Sequence, residues 1–260
     1  MKCREVIAKL EELSPPKYAA DWDNVGLLVG RKEKEISRVY VAVDATEDVI
    51  DAATECGAEM ILTHHPMIFS PVKRITGDDF LGRRIMKMIR QDQCLYAMHT
   101  NFDVMGMADA AADELGLKAC SVLEVTYEDE LSKEGFGRAG RLPHIMTLGE
   151  CADLVKKCFR LEHVSVYGDL NATVEKAAIC PGSGKSMGNA ALASGADVYI
   201  TGDIGHHDGI DLVAQGMAVI DAGHFGIEKL FVPYMQEFLK RELPALKVIP
   251  HPEKSPVMIV

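Results

Sequence analysis

The chain has 260 residues, of which 48% are hydrophobic and 26% are charged, a composition typical of a globular protein with one or two cores. Its formal net charge of −11 at pH 7 argues against loose electrostatic binding to nucleic acid or to an anionic membrane. The sequence has no long apolar run, no signal-like start and no C-x-x-C pair among its seven cysteines, so we expect a cytoplasmic protein with reduced thiols and no membrane partner.

The first part of the chain alternates helical and strand patterns. After an amphipathic helix over residues 5–13, which Pro15 and Pro16 end, we expect strands over 38–45, 60–63 and 94–100 and helices over 46–57, 79–91 and 107–117. This alternation predicts βαβ units on a mainly parallel sheet.

The pattern changes near residue 120. A predicted strand over 121–128 precedes the Gly-rich stretch 135–140, and the capping box Thr147-x-x-Glu150 begins a helix that runs to about residue 159. We therefore expect a boundary here, with one domain over residues 1–125 and another over 126–260.

The second part returns to the same alternation. We expect strands near 163–168, 174–180, 197–201 and 217–222, helices near 186–194 and 207–215, and a long final helix that kinks at Pro233. The segment 57–63 (GAEMILT) matches 195–201 (GADVYIT), and 97–102 matches 220–225 more weakly. These matches predict two related α/β lobes with mainly parallel sheets, although any two βαβ units can share a Gly-Ala turn and apolar strands.

Potential metal ligands follow three of the predicted strands, at the edge where open parallel sheets bind their ligands. They are His64, His65, Asp103, His224 and Glu228. His224 and Glu228 are four residues apart at a strand-to-helix junction, so both can project from one face. Each ligand taken alone has an ordinary explanation as a turn or cap residue; the convergence on three strand ends carries the hypothesis.

Two ions fit these ligands better than one. Adjacent side chains of an extended segment point to opposite sides, so we expect His64 and His65 to bind different ions, with Glu228 as a possible bridge. Three imidazoles and two carboxylates suit two divalent ions of Zn, Mn, Fe or Ni. His99, four residues before Asp103, is a candidate catalytic acid or base, or an outer-shell donor to a ligand.

Other polar motifs have weaker functional readings. The stretch 180–186 (CPGSGKS) lacks the first glycine of a phosphate-binding loop, because Ile179 stands there, so we expect a tight turn. His206 and His207 are expected at a helix start or in an outer shell. Trp22, the single tryptophan, either lines a substrate pocket or anchors a loop, and the sequence leaves both open.

A series of motifs in this chain resembles the GTP cyclohydrolase I type 2 homologs, the Nif-three-like dinuclear metal-centre family. The motifs are DWDNVGLLVG (21–30), LTHHPMIF (62–69), HTNFD (99–103), TGDIGHHD (201–208) and DAGHFGIEK (221–229). The resemblance implies the same five metal ligands, a metal site between two lobes, and a toroidal homohexamer whose sites face an inner cavity. This chain looks like the short form, without the middle domain of some members.

Two classes of function stay open. The first is a metal-dependent hydrolase that acts on a nucleotide-like, phosphate-bearing small molecule, since two divalent ions outweigh two carboxylates and attract an anion; the family resemblance implies attack on the guanine ring of GTP. The second is a non-enzymatic metal-binding regulator or partner-binding ring. Open coordination positions favour the enzyme, because structural metal sites are usually closed.

Overall fold

The computed structural model describes residues 1–259 and divides into two compact units. The first unit contains Met1–Phe102 and Phe231–Glu253, and the second contains Asp103–Leu230 and the segment from Lys254 onward. The expected division at residue 125 lies inside the second unit, which begins at Asp103. The last strand of the chain returns to the first unit and pairs within its sheet. No helix of residues 1–259 is long and apolar enough to cross a membrane.

The helices and strands alternate along most of the chain. The helices are α1 Cys3–Leu13, α2 Glu47–Glu55, α3 Phe80–Arg90, α4 Thr100–Phe102, α5 Ala108–Glu114, α6 Leu148–Cys158, α7 Gly188–Ala193, α8 His206–Ala214, α9 His224–Glu228 and α10 Phe231–Glu242. The strands are β1 Gly26–Val29, β2 Arg38–Ala42, β3 Met60–Thr63, β4 Cys94–Ala97, β5 Lys118–Glu128, β6 Lys133–Thr147, β7 Ser165–Tyr167, β8 Thr173–Ser183, β9 Val198–Gly202, β10 Ala218–Asp221 and β11 Lys247–Pro250. A π-helical turn, Asp103–Met107, precedes α5.

The sheet of the first unit has five strands in the order β1-β4-β3-β2-β11. Strands β4, β3, β2 and β11 are parallel, and β1 is an antiparallel edge strand. Strand β3 is buried along its whole length, as its continuous apolar pattern predicts for a central parallel strand. Apolar residues of α2 and α3, such as Ile50 and Met88, complete this core.

The sheet of the second unit has six strands in the order β5-β6-β8-β9-β10-β7. Only β8, β9 and β10 run parallel to each other; β5, β6 and β7 pair antiparallel. The expected α/β class with two lobes is confirmed, and this second sheet is more mixed than expected. The reason is local, since only four residues, 129–132, connect β5 to β6, and so short a connection requires antiparallel neighbours.

The Gly-rich stretch 135–140 lies inside β6 and is not a linker. A Cβ on Gly135 would collide with the backbone carbonyl of Glu124, and a Cβ on Gly140 would lie 2.9 Å from the Sγ of Cys120. Glycine is therefore required here for the close approach of β5 and β6.

The expected long final helix is two helices, separated at Lys229 and Leu230. Pro233 is the third residue of α10, where a backbone N–H would have no partner within the helix. The proline is accommodated in the first turn, and the predicted kink is a break four residues earlier.

The two units share an arrangement in which one carboxylate joins two neighbouring parallel strands. In the first unit, Glu59 accepts hydrogen bonds from the backbone N–H groups of Ser37 (3.1 Å) and Arg38 (2.8 Å) at the start of β2. In the second, Asp197 accepts from Glu175 (2.8 Å) and Lys176 (2.9 Å) near the start of β8. The acidic residue after each Gly-Ala pair therefore ties two parallel strands together at their N-terminal ends.

Replacing Glu59 by glutamine should lower the free energy of unfolding by about 1 kcal/mol at neutral pH, because the backbone donors lose a charged acceptor. Burial raises the pKa of Glu59, but the hydrogen bonds from Arg38 and Ser37 lower it by more. The net result is a pKa below the ordinary value of a glutamate. The contribution is present above the unfolded pKa and is lost as the pH falls through the folded pKa.

Urea denaturation across a pH series measures this effect, with Glu55→Gln at the exposed end of α2 as the control. The gap between wild type and Glu59→Gln should close in acid. A gap that widens in acid, or a loss equal to that of the control, would contradict the assigned role.

Candidate metal centre

Three histidines lie close together just beyond β3 and β4 of the first unit. Each of His64, His65 and His99 offers a ligand atom, and these atoms lie within 4.8 Å of one another. The expectation that the rings of His64 and His65 point to opposite sides was wrong, because their ring centroids are 4.9 Å apart. The chain turns here, since the backbone N–H groups of both residues donate to the carbonyl of Val43.

The hydrogen bonds of His64 and His65 fix which ring nitrogen can bind a metal. The Nδ1 atom of His64, a fully buried residue, lies 2.8 Å from the carbonyl oxygen of Met98. The Nδ1 atom of His65 lies 2.9 Å from the Oδ1 atom of Asp44. Because both partners are acceptors, each Nδ1 carries the hydrogen and each Nε2 keeps its lone pair for a ligand.

His99 is oriented in the same way by Asp23. Its Nδ1 atom lies 2.9 Å from the Oδ1 atom of Asp23, whose side chain is fully buried. Thr100 donates to the same carboxylate from its backbone N–H and its hydroxyl. Burial, the largest effect, raises the pKa of Asp23, but the donors His99 and Thr100 together lower it to about 2, so this carboxylate stays charged at neutral pH.

The second unit contributes a histidine and a glutamate from one short helix. His224 begins α9 and Glu228 ends it, and the Nε2 atom of His224 lies 3.0 Å from the Oε2 atom of the buried Glu228. The Nδ1 atom of His224 lies 2.7 Å from the Oδ2 atom of Asp203. The hydrogen bond to Glu228, with a further contribution from Asp203, raises the pKa of His224 to about 9. A divalent ion would therefore displace the proton between Nε2 and Glu228.

Asp103 and Glu228 both act on the same buried thiol of the second unit. Burial, followed by the charge of Asp103 and with a smaller contribution from Glu228, raises the pKa of Cys180 to about 12. Asp103 and Glu228 also each offer a ligand oxygen, and these two oxygens lie within 4.8 Å of each other. Asp103 is the first residue of the π-helical turn, a distortion that occurs often at functional sites.

Arg138 of β6 holds this π-helical turn in place. The residue is 5% exposed, and its guanidinium donates two hydrogen bonds to Asp109, at 2.5 and 2.8 Å. It also donates to the carbonyl oxygens of Gly137, at 2.8 Å, and Val104, at 3.5 Å. A buried, bidentate arginine thus fixes the segment that carries Asp103.

The turn expected over residues 180–186 begins later in the structure, because residues up to Ser183, Gly182 among them, belong to the end of β8. The φ of Gly182 is +72°, and a Cβ at this position would collide with the Oε1 atom of Glu228. Glycine is needed here both for the left-handed backbone and for the approach of the glutamate. Gly182 therefore serves the packing of Glu228, and a phosphate-binding role is not required to explain this glycine.

The predicted ligands belong to both units of the chain. His64 and His65 lie in the first unit, and Asp103, His224 and Glu228 lie in the second. His99 offers a ring nitrogen within 4.8 Å of those of His64 and His65. Within residues 1–259, His206 and His207 join no group of three potential ligands.

The sequence reasoning missed the acceptors that orient the imidazoles. Asp44 lies two residues past β2, and Asp203 lies directly past β9. Both positions are at the carboxyl ends of parallel strands, which is the signal that could have found them. Asp203 has a φ of +57°, a conformation that aspartate tolerates better than most residues.

The comparison with protein families agrees with the motif series. Residues 1–256 match the sequence model of the family described as Duf34/NIF3 (NGG1p interacting factor 3). The chain belongs to the Duf34/NIF3 family. Two curated relatives within it are named GTP cyclohydrolase 1 type 2 homolog. The relative from Clostridium perfringens is 38% identical over 94% of this chain and 93% of its own length, and the one from Streptococcus pneumoniae is 35% identical over 93% and 91%.

Solved structures share the fold over nearly the whole chain. A Bacillus cereus protein related to NIF3 superposes with a TM-score of 0.91 at 25% identity, covering 100% of this chain and 99% of that one. Reduced HcgD from Methanocaldococcus jannaschii superposes with a TM-score of 0.83 at 30% identity, covering 96% and 97%. The Duf34/NIF3 fold is therefore confirmed for this chain.

Gly182→Ala should reduce metal binding, because the new methyl group displaces the carboxylate of Glu228. Gly195→Ala is a matched control: Gly195 also has a positive φ, +69°, but a Cβ there meets no atom within 4 Å. Both variants should lose about 1 kcal/mol of stability from backbone strain, measured by chemical denaturation. Elemental analysis should show lost metal in Gly182→Ala alone, and equal metal content in both variants would contradict this role of Gly182.

Proposed function

We propose that the chain binds two divalent metal ions through His64, His65, Asp103, His224 and Glu228, and that it is a hydrolase of a nucleotide-like anionic substrate. The observation that carries the proposal is the tautomer of the imidazoles. In each of His64, His65 and His224, Nδ1 is held by a carbonyl or carboxylate oxygen, and this pattern is typical of metal-ligating histidines.

The chemistry of these donors fits a pair of transition-metal ions. Imidazole nitrogens and carboxylate oxygens together suit Zn, Mn, Fe or Ni rather than Mg or Ca. The proposed ligands are His64 and His65 in the first unit and Asp103, His224 and Glu228 in the second.

The proposed substrate follows from charge. Two divalent ions outweigh the carboxylates of Asp103 and Glu228, so the loaded centre attracts an anion such as a phosphate group. Such ions supply an activated water nucleophile and polarise the bond under attack. The relatives named GTP cyclohydrolase 1 type 2 homolog support a purine nucleotide as the first substrate to assay.

We assign His99 the role of a general acid or base. The buried Asp23 holds its Nδ1–H, so its Nε2 can accept or return a proton. Its side chain is mostly buried, and its hydrogen bond to the charged carboxylate of Asp23 keeps the ring in one tautomer and one orientation.

The proposal is tested by metal analysis and turnover on one set of proteins. Wild type, His64→Ala, Glu228→Gln and the exposed control Glu237→Gln are purified without chelator and assayed with Mn, Zn or Fe against GTP and a panel of phosphoesters. Wild type and the control should hold two ions per chain and turn over a substrate. The two ligand variants, one from each unit, should lose metal and at least about 100-fold in activity.

The outcomes separate the two classes of function. Two ions per chain with no turnover would contradict the hydrolase and favour a non-enzymatic metal-binding regulator. Wild type without stoichiometric metal would contradict the centre itself. The toroidal homohexamer implied by the family resemblance stays a prediction, and mass measurement in solution on the same preparation tests it.

A further inference from the structure

Two exposed aromatic side chains lie beside His99 in the first unit. Trp22 is 60% exposed and Phe69 is 53% exposed, and their ring centroids are 5.8 Å apart. The indole also meets the ring of His99 edge-on, with centroids 6.1 Å apart. These rings leave most of their area to solvent next to a histidine of the candidate centre.

Buried polar contacts fix the backbone under both rings. Trp22 is the third residue of a turn in which the N–H of Asp23 donates to the carbonyl of Ala20 at 2.9 Å. On one side of the turn, the N–H of Ala20 donates to the hydroxyl of Thr100 at 2.9 Å. On the other side, the Asp23 carboxylate accepts from the N–H of Thr100 at 3.0 Å. The position of Trp22 is therefore set by its neighbours.

The loop that carries Trp22 also fixes the backbone next to Phe69. The side-chain amide of Asn24 donates to the carbonyl oxygen of Ile68 at 2.5 Å, directly before Phe69. Asp23 and Asn24 thus anchor the loop with their own side chains. The residue before them, Trp22, stays largely exposed to solvent. An anchoring role for Trp22 itself would bury the ring, so the alternative of a ligand-facing ring is the one that the structure supports.

We propose that Trp22 and Phe69 form an aromatic platform, on which a planar heteroaromatic ring of a small-molecule substrate stacks beside His99. Ring-on-ring stacking tolerates different bases, because every base has a π-face, and it favours offset or tilted geometries like that of this pair. The net charge of −11 favours a small nucleotide over a nucleic-acid strand. The choice of a substrate as the occupant rests on the proposed function.

The single tryptophan makes the platform directly measurable. Fluorescence of the full-length, metal-loaded protein is recorded with GMP, AMP and ribose 5-phosphate, exciting at the red edge of the indole absorption. The two purine nucleotides should quench Trp22 with a saturable dependence on concentration, and ribose 5-phosphate, which has the phosphate but no ring, should not. Linear quenching equal to that of free N-acetyltryptophanamide, or an equal response to ribose 5-phosphate, overturns the platform.

A matched pair of variants identifies the partner ring. Phe69→Leu should weaken the apparent affinity for GMP about tenfold. Phe80→Leu, which changes a phenylalanine of similar exposure, 57%, at the start of α3, should leave that affinity unchanged. Equal effects of the two variants overturn the role of Phe69. If Phe69→Leu fails to fold by circular dichroism, the comparison of GMP with ribose 5-phosphate in wild type still decides the proposal.

Metal content measured on the same samples separates this inference from the proposed function. Saturable quenching by the purine nucleotides in protein that holds no metal after incubation with Mn, Zn or Fe supports the platform and contradicts the metal centre. Two ions per chain without saturable quenching overturns the platform and leaves the metal centre standing. The fluorescence thus decides the platform in either metal state.

Discussion

The candidate metal centre depends on one kind of hydrogen bond, in which the Nδ1 atom of an imidazole is held by an oxygen. It occurs at His64, His65, His99 and His224. Asp44, Asp203 and the carbonyl of Met98 each accept from one imidazole, and Asp23 accepts from His99. An imidazole held in this way cannot rotate to offer its other nitrogen without breaking a charged or buried hydrogen bond. The rings are therefore oriented with their Nε2 atoms available before any ligand binds, and this preorganisation reduces the free-energy cost of binding.

In both units the acceptors of the three proposed histidine ligands lie at equivalent places in the fold, just after the carboxyl ends of parallel strands. The first sheet contains four parallel strands and the second contains three. In both sheets polar residues follow the carboxyl ends of parallel strands, and Glu59 and Asp197 join the opposite ends of two of those strands in the same way. The antiparallel strands β5 and β6 belong to the second unit alone, and Arg138 on β6 holds the turn that begins with Asp103. One repeated core thus carries two different sets of side chains, imidazoles in the first unit and mainly carboxylates in the second.

The sequence predicted the features that depend on local pattern. Continuous apolar runs located the parallel strands, and polar residues at their ends gave the five candidate ligands. The convergence of His64 and His65 was not predictable, because it follows from a turn in which both N–H groups share the carbonyl of Val43. The strand conformation of residues 135–140 was missed for a related reason, since those glycines serve the close approach of β5 and not flexibility. The return of β11 to β2 is a contact between distant segments that no local pattern encodes.

A crystal structure of the zinc-loaded protein, with anomalous data at the zinc edge, tests the central claim most directly. The account predicts two ions per chain, with the Nε2 atoms of His64, His65 and His224 at about 2.0–2.1 Å from an ion and every Nδ1 still on its acceptor. Coordination through an Nδ1 atom, or ions bound away from these side chains, would contradict it.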